Sequence, residues 1–131
     1  MTMDWGALDR LILDAELSGH KIGVTIIAPN QATYRYRGDE DFLAASTIKI
    51  AVMVSIFQKV DQGELSLESC IVVRREDKVP GSGVLQGIHD DVALNMADLL
   101  YLMISISDNP STNLLIDLVG IDEVNRTIRN L

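Results

Sequence analysis

The sequence predicts an α+β fold that is mostly helical: an N-terminal helix and a β-hairpin, followed by a series of helices. Two observations carry that prediction. β-Branched residues concentrate in a short stretch before residue 40, and from Phe42 onward apolar runs recur that are too long for strands. A third observation bounds it. The 131 residues suit one ordinary domain with a real core, and 47% hydrophobic content with 5% aromatics leaves the packing to aliphatic side chains.

Taken in order, Trp5 to Leu17 sets Leu8, Leu11, Ile12 and Ala15 on one face, with Asp9, Arg10, Asp14 and Glu16 mostly opposite. Ser18-Gly19 ends that helix. Lys21 to Ala28 is a strand closed by Pro29-Asn30. Thr33 to Arg37 alternates and ends at Gly38-Asp39, so the two form a hairpin. Phe42 to Phe57 is nearly all apolar and reads as a buried helix ending near Gly63. Leu65 to Lys78 is irregular, with a short strand at Ile71 to Arg74, and Val79 to Gly83 is a loop. Met96 to Ile106 is a second apolar helix, and Ser111 to Val119 is a third, stopped by Gly120. Asp122 caps a last helix that runs to Leu131. Two strands alone are marginal in water, and this hairpin is apolar enough to call for a larger sheet. No later strand of comparable strength supplies one, so a missing segment or another chain is expected to complete it.

Composition removes several function classes. A net charge of −8 with a pI near 4.5, and no basic cluster beyond Arg74-Arg75, argues against nucleic acid or an anionic membrane surface as partner. Lys49 interrupts the longest apolar run, so no membrane span is expected. The opening Met-Thr-Met-Asp-Trp has neither the basic nor the apolar region of a signal peptide. Cys70 is the one cysteine; in Cys70-Ile71-Val72 it reads as a small buried hydrophobe. His89, Asp90 and Asp91 lack a further ligand at metal-binding spacing, and neither a metal nor a cofactor is expected.

Two short motifs carry chemistry. Lys49 is the single charge between Phe42 and Phe57, one helical turn after Ser46 on the same face. Burial and the positive end of a helix both oppose an ammonium there and favour a lysine that accepts a proton, while Ser46 stands where it can donate one. On these residues alone, Ser46 and Thr47 also read as ordinary helix caps, with Lys49 snorkelling to water. The second motif is Ser107-Asp108-Asn109. By itself it reads as a helix junction, with Asp or Asn capping a helix whose first turn holds Pro110. Its functional reading gives Ser107 a hydroxyl for proton relay and Asn109 an amide for a substrate carbonyl.

The two motifs together, Phe42-Leu43-Ala44-Ala45-Ser46-Thr47-Ile48-Lys49 and Ser107 to Leu115, resemble those of class A β-lactamases and related penicillin-recognising serine hydrolases. Between them Gly81-Ser82-Gly83-Val84-Leu85-Gln86 resembles the loop bordering that family's active site. The resemblance implies the helix, hairpin and helical part of a β-lactamase-like fold without the rest of its sheet. It further implies one truncated domain over residues 1–131, with 1–40 belonging to the sheet part and 41–131 to the helical part. Ser46 would be the nucleophile, Lys49 the base or part of a relay, and Ser107 the donor to the departing lactam nitrogen. Asn109 would hold the substrate amide, and Ser82 would line the rim.

The implied substrate is a β-lactam or an acyl-peptide, so a D-alanyl-D-alanine peptidase, an esterase and a non-catalytic complementation module stand as alternatives. A periplasmic or extracellular setting, and a role in antibiotic resistance, also follow from the resemblance. No K-T-G follows Ser107, and the glutamate-bearing deacylation loop is absent; Glu123, the one later glutamate, reads as a helix-start residue. A fragment with impaired turnover is therefore expected, partnered by a second copy or by a complementing C-terminal segment.

Overall fold

A computed structural model describes residues 4–130; Met1-Thr2-Met3 and the predicted helix end at Leu131 lie outside the described residues. The chain divides into two compact units, Met1–Leu43 and Ala44–Leu131. The fold is mostly helical, as the sequence predicts, and carries two small sheets, the hairpin and a second pair of strands.

In the first unit, helix α1 (Gly6–Leu17) precedes strands β1 (Val24–Ile27) and β2 (Thr33–Tyr36), which pair antiparallel with Val24 opposite Tyr36 and Ile27 opposite Thr33. Alternation sorts the hairpin into two faces. Val24, Ile26, Tyr34 and Tyr36 are half-buried, whereas Thr25, Ile27, Thr33 and Arg35 are exposed. The tyrosine hydroxyls tie the half-buried face to α1: Tyr34 donates to Asp9 and Tyr36 to Glu16, both at 2.6 Å. Ile12 is buried, and Trp5 packs on Tyr34 with ring centroids 5.3 Å apart. The helix thus covers the face for which the hairpin needs a partner.

The second unit holds α2 (Ile48–Asp61), β3 (Cys70–Val73), β4 (Val92–Asn95), α3 (Met96–Ser105), α4 (Asn109–Val119) and α5 (Ile121–Asn130). Val52, Ile56, Val73, Leu85, Met96, Leu99, Met103, Leu115 and Val124 form its core. Each such side chain contributes roughly 1.5–3 kcal/mol by leaving water. Asn95 caps α3 by accepting the Asp98 N–H at 2.8 Å, and the glycine at 120, with φ of 83°, ends α4.

Three expectations are corrected here. The helix predicted from Phe42 begins at Ile48, after a short 3-10 turn over Ala45–Thr47; Leu43 is 100% exposed, so the apolar residues before Ser46 are not buried helix. The positive φ of Ala45, 46°, breaks helical continuity at that point. Strand β3, expected near Ile71 to Arg74, pairs antiparallel with β4, to which the sequence assigned no element, Cys70 opposite Asn95 and Val73 opposite Val92; this separate ladder closes the base of the loop over residues 74–91 and adds no strand to the hairpin. Cys70 is exposed rather than buried, because burial on β3 alternates toward Ile71 and Val73. Finally, Asp122 lies within the first turn of α5, which begins one residue earlier, so it favours that helix by charge and not as its cap.

Candidate active site

Every residue singled out for chemistry lies in the second unit, where three segments meet: the turn entering α2, the junction between α3 and α4, and the loop that the β3–β4 ladder closes. Ser46 sits in the 3-10 turn, exposed, with its Oγ 2.8 Å from the Ser107 Oγ. Lys49, in the first turn of α2, is 6% exposed. Its Nζ donates to the Ser107 carbonyl and the Ser107 Oγ, both at 2.7 Å, and to the Asn109 Oδ1 at 3.0 Å. Three oxygen acceptors match the three donors of an ammonium, and none of them is a carboxylate. Ser46 therefore connects to Lys49 through the Ser107 hydroxyl.

The α3–α4 junction is strained where it meets Ser46. Ser107 has φ of 59°, so two residues without the freedom of glycine, Ala45 and Ser107, occupy the left-handed region on either side of the serine pair. Such conformations cost about 1–3 kcal/mol each and persist where surrounding contacts over-determine them. Here the contacts are visible. The Asp108 N–H donates to the Leu102 carbonyl at 3.2 Å, and the Asn109 N–H donates to the Ser82 carbonyl at 2.9 Å. Asn109 has its Oδ1 on Lys49 and its Nδ2 3.4 Å from the Pro80 carbonyl. Ser82 joins the site through its backbone oxygen, with its side chain on an exposed part of the loop.

Asp108 was not among the residues singled out beyond a capping role, yet it is the most deeply enclosed group of the site, at 0% exposure. It caps α4 through Ser111 and also accepts the N–H groups of Val84 and Leu85. Burial works against its charge, but the backbone N–H groups of Ser111, Leu85 and Val84, with the Ser111 hydroxyl, hold its carboxyl below the usual carboxylate range. The signal was present in the sequence: Asp108 is the one charge between Asp98 and Asp117, the same pattern that singles out Lys49.

The loop beyond the site ends in a hydrogen-bonded brace, with the Gln86 Nε2 donating to the Gly81 carbonyl at 2.7 Å. His89, Asp90 and Asp91 lie on its exposed side, where Asp90 pairs with Lys78 at 2.7 Å. Glu123 pairs with Arg126 on α5, away from these segments.

A family model described as the β-lactamase enzyme family matches residues 7–131. A β-lactamase from Sphaerobacter thermophilus superposes with a TM-score of 0.91 at 50% identity, over 98% of this chain and 48% of that one. A structure of PBP-A, solved as a mutant in an acyl-enzyme complex with penicillin G, superposes with a TM-score of 0.76 at 30% identity, over 95% of this chain and 48% of that one. The β-lactamase BRO-1 of Moraxella catarrhalis is 36% identical over 101 residues, which is 76% of this chain and 32% of that protein. The chain thus spans about half the length of the solved relatives, and a third of BRO-1.

Proposed function

We propose, on the premise that this chain belongs to the β-lactamase enzyme family, that it is the nucleophile-bearing part of a serine β-lactamase-like hydrolase. The observation that carries the reading is the linked series Ser46 Oγ, Ser107 Oγ and Lys49 Nζ, with steps of 2.8 and 2.7 Å. A β-lactam meets the exposed Ser46 hydroxyl, whose oxygen attacks the lactam carbonyl carbon. The Ser46 proton passes to Ser107, and the Ser107 proton passes to the lactam nitrogen as the ring C–N bond breaks. The product is an ester on Ser46 with an N–H where the ring nitrogen was, and no proton is gained or lost overall. Lys49 keeps the Ser107 oxygen facing Ser46 and steadies negative charge as it develops.

Asn109 has one side-chain group committed and one lightly held. Its Oδ1 is engaged by Lys49, while its Nδ2 has only the long contact to Pro80, which leaves a donor for the amide carbonyl of a substrate side chain. Ser82 lines the rim. The acyl-enzyme of PBP-A with penicillin G supports penicillin as the probe. We propose a complementing segment as the chain's partner, since the solved relatives carry about twice its length. Hydrolysis of the ester belongs to the assembled protein in this reading.

The test is intact-protein mass spectrometry before and after incubation with penicillin G. One adduct per chain, mapped to Ser46, is expected; Ser46→Ala abolishes it, and Lys49→Ala slows its formation about 100-fold or more. Labelling that persists in Ser46→Ala, or an unlabelled wild-type chain, overturns the reading.

A further inference from the structure

We infer that Gln86 is a positioning residue, whose carboxamide braces the loop over residues 80–83 in the shape that places the Asn109 amide for the acyl side chain of a substrate. The consequence for substrate rests on the proposed reaction at Ser46; the brace itself does not.

Successive carbonyls of this loop are divided between two residues. Those of Pro80 and Ser82 face Asn109: the first lies 3.4 Å from its Nδ2, and the second accepts its backbone N–H at 2.9 Å. Those of Gly81 and Gly83 face Gln86, whose Nε2 donates to them at 2.7 and 3.3 Å. A primary amide has two N–H donors, so Gln86 spends both on the loop, and the two carbonyls fix which way its carboxamide is turned. Asn109 keeps a donor in reserve, because the contact from its Nδ2 to Pro80 is long.

The backbone is built for this division. Gly81 lies between the Pro80 and Gly81 carbonyls, and Gly83 between the Ser82 and Gly83 carbonyls. Each glycine is therefore the point where the chain turns one carbonyl toward Asn109 and the next toward Gln86. Their φ values, 120° and 113°, lie where glycine is at ease and other residues are not. Gly81 also presses on the amide itself, since a Cβ there would stand 2.3 Å from the Asn109 Nδ2. Lys49 holds the Oδ1 end of that amide at 3.0 Å, and the Gly81 backbone bounds the other end. A loop that drifts from Gln86 therefore moves the one donor of Asn109 left for a substrate carbonyl.

Gln86→Glu keeps the length of the side chain and replaces its donors with oxygens that the two carbonyls repel. Amide hydrogen exchange on the full chain is the first measurement. Exchange at the Asn109 N–H, which is bonded to the Ser82 carbonyl, is expected to speed up about 3- to 10-fold, the weight of one or two neutral hydrogen bonds at a partly solvated site. The amides of Leu99 and Leu115, in the core, keep their rates. Unchanged exchange at Asn109 overturns the brace. Equal acceleration at all three amides also overturns it, because Gln86 then supports the whole unit without shaping the loop.

Gln86→Ala removes the donors without adding charge, is expected to give the same exchange pattern, and decides the brace should Gln86→Glu fail to fold. It also serves the second readout, labelling of Ser46 by two probes. Penicillin G carries a side-chain amide carbonyl; the aminopenicillanic nucleus has a bare amine in its place. Gln86→Ala is expected to label about tenfold more slowly than wild type with penicillin G and within about twofold of wild type with the nucleus, because only the first draws on the Asn109 donor. Equal slowing with both probes, or a wild-type rate with penicillin G, overturns the positioning role. A wild-type chain that labels with neither counts against the reaction at Ser46, and the exchange result still decides the brace.

Discussion

Lys49 and Asp108 are the two buried charges among the described residues, and each is stabilised by neutral partners: hydroxyl and carbonyl oxygens for the lysine, N–H groups and a hydroxyl for the aspartate. For Asp108 this has a consequence in acid. Its carboxyl is held below the ordinary value of 3.8, so its contribution to stability is fully present above that pH and is lost as pH falls through the lower folded-state value. Urea unfolding midpoints measured downward from pH 5 are expected to fall more steeply for wild type than for Asp108→Asn, so that the two curves converge in acid. Parallel curves would mean that the carboxylate is not favoured by folding. At this scale the serine, lysine and asparagine of the site were legible, because side-chain chemistry at fixed spacing leaves a mark in sequence. The second set of partners of Asp108 was not, because they are backbone N–H groups that any residue but proline at 84 and 85 would offer.

Among the elements, α3 is the one on which the packing of the second unit most depends. Met96, Leu99 and Met103 are fully buried along one of its faces, and Leu100 nearly so. Leu99→Ala is expected to destabilise by about 2–5 kcal/mol in urea unfolding, the range for emptying a leucine site in a close-packed core. A loss under about 1 kcal/mol would show that the core collapses around the vacancy. The element order was readable from apolar periodicity and punctuation, as in Ser18-Gly19 after α1 and Gly120 after α4. Two features escaped for stated reasons. Strand β4 holds one β-branched residue in four, Val92, too weak a strand signal to stand out ahead of the helix at Met96. The start of α2 was placed early because Phe42 and Leu43 are apolar and continuous with it, while the break at Ala45 is a backbone angle that composition does not encode.

Across the whole molecule, apolar surface remains uncovered in each unit taken by itself. Leu11, Leu13 and Leu17 stand exposed on α1. In the second unit, Met53, Phe57, Leu67, Leu100, Tyr101 and Ile104 line a groove of about 340 Å³. Exposed apolar area of this kind marks surfaces that associate. Light scattering and thermal melting, with and without the C-terminal half of the Sphaerobacter thermophilus relative, test the proposed partner. A one-to-one complex with a raised melting midpoint is expected; no binding, with the chain pairing only with itself, would sink the complementing segment in favour of a second copy. Cys70 gives such experiments a built-in arithmetic. It is the one thiol in the chain and it is exposed on β3, so oxidation has a valence of one: it joins two chains and then stops. Any species larger than a dimer that survives reductant is therefore held by non-covalent contact alone, and the covalent and non-covalent shares of assembly separate in a single pair of measurements.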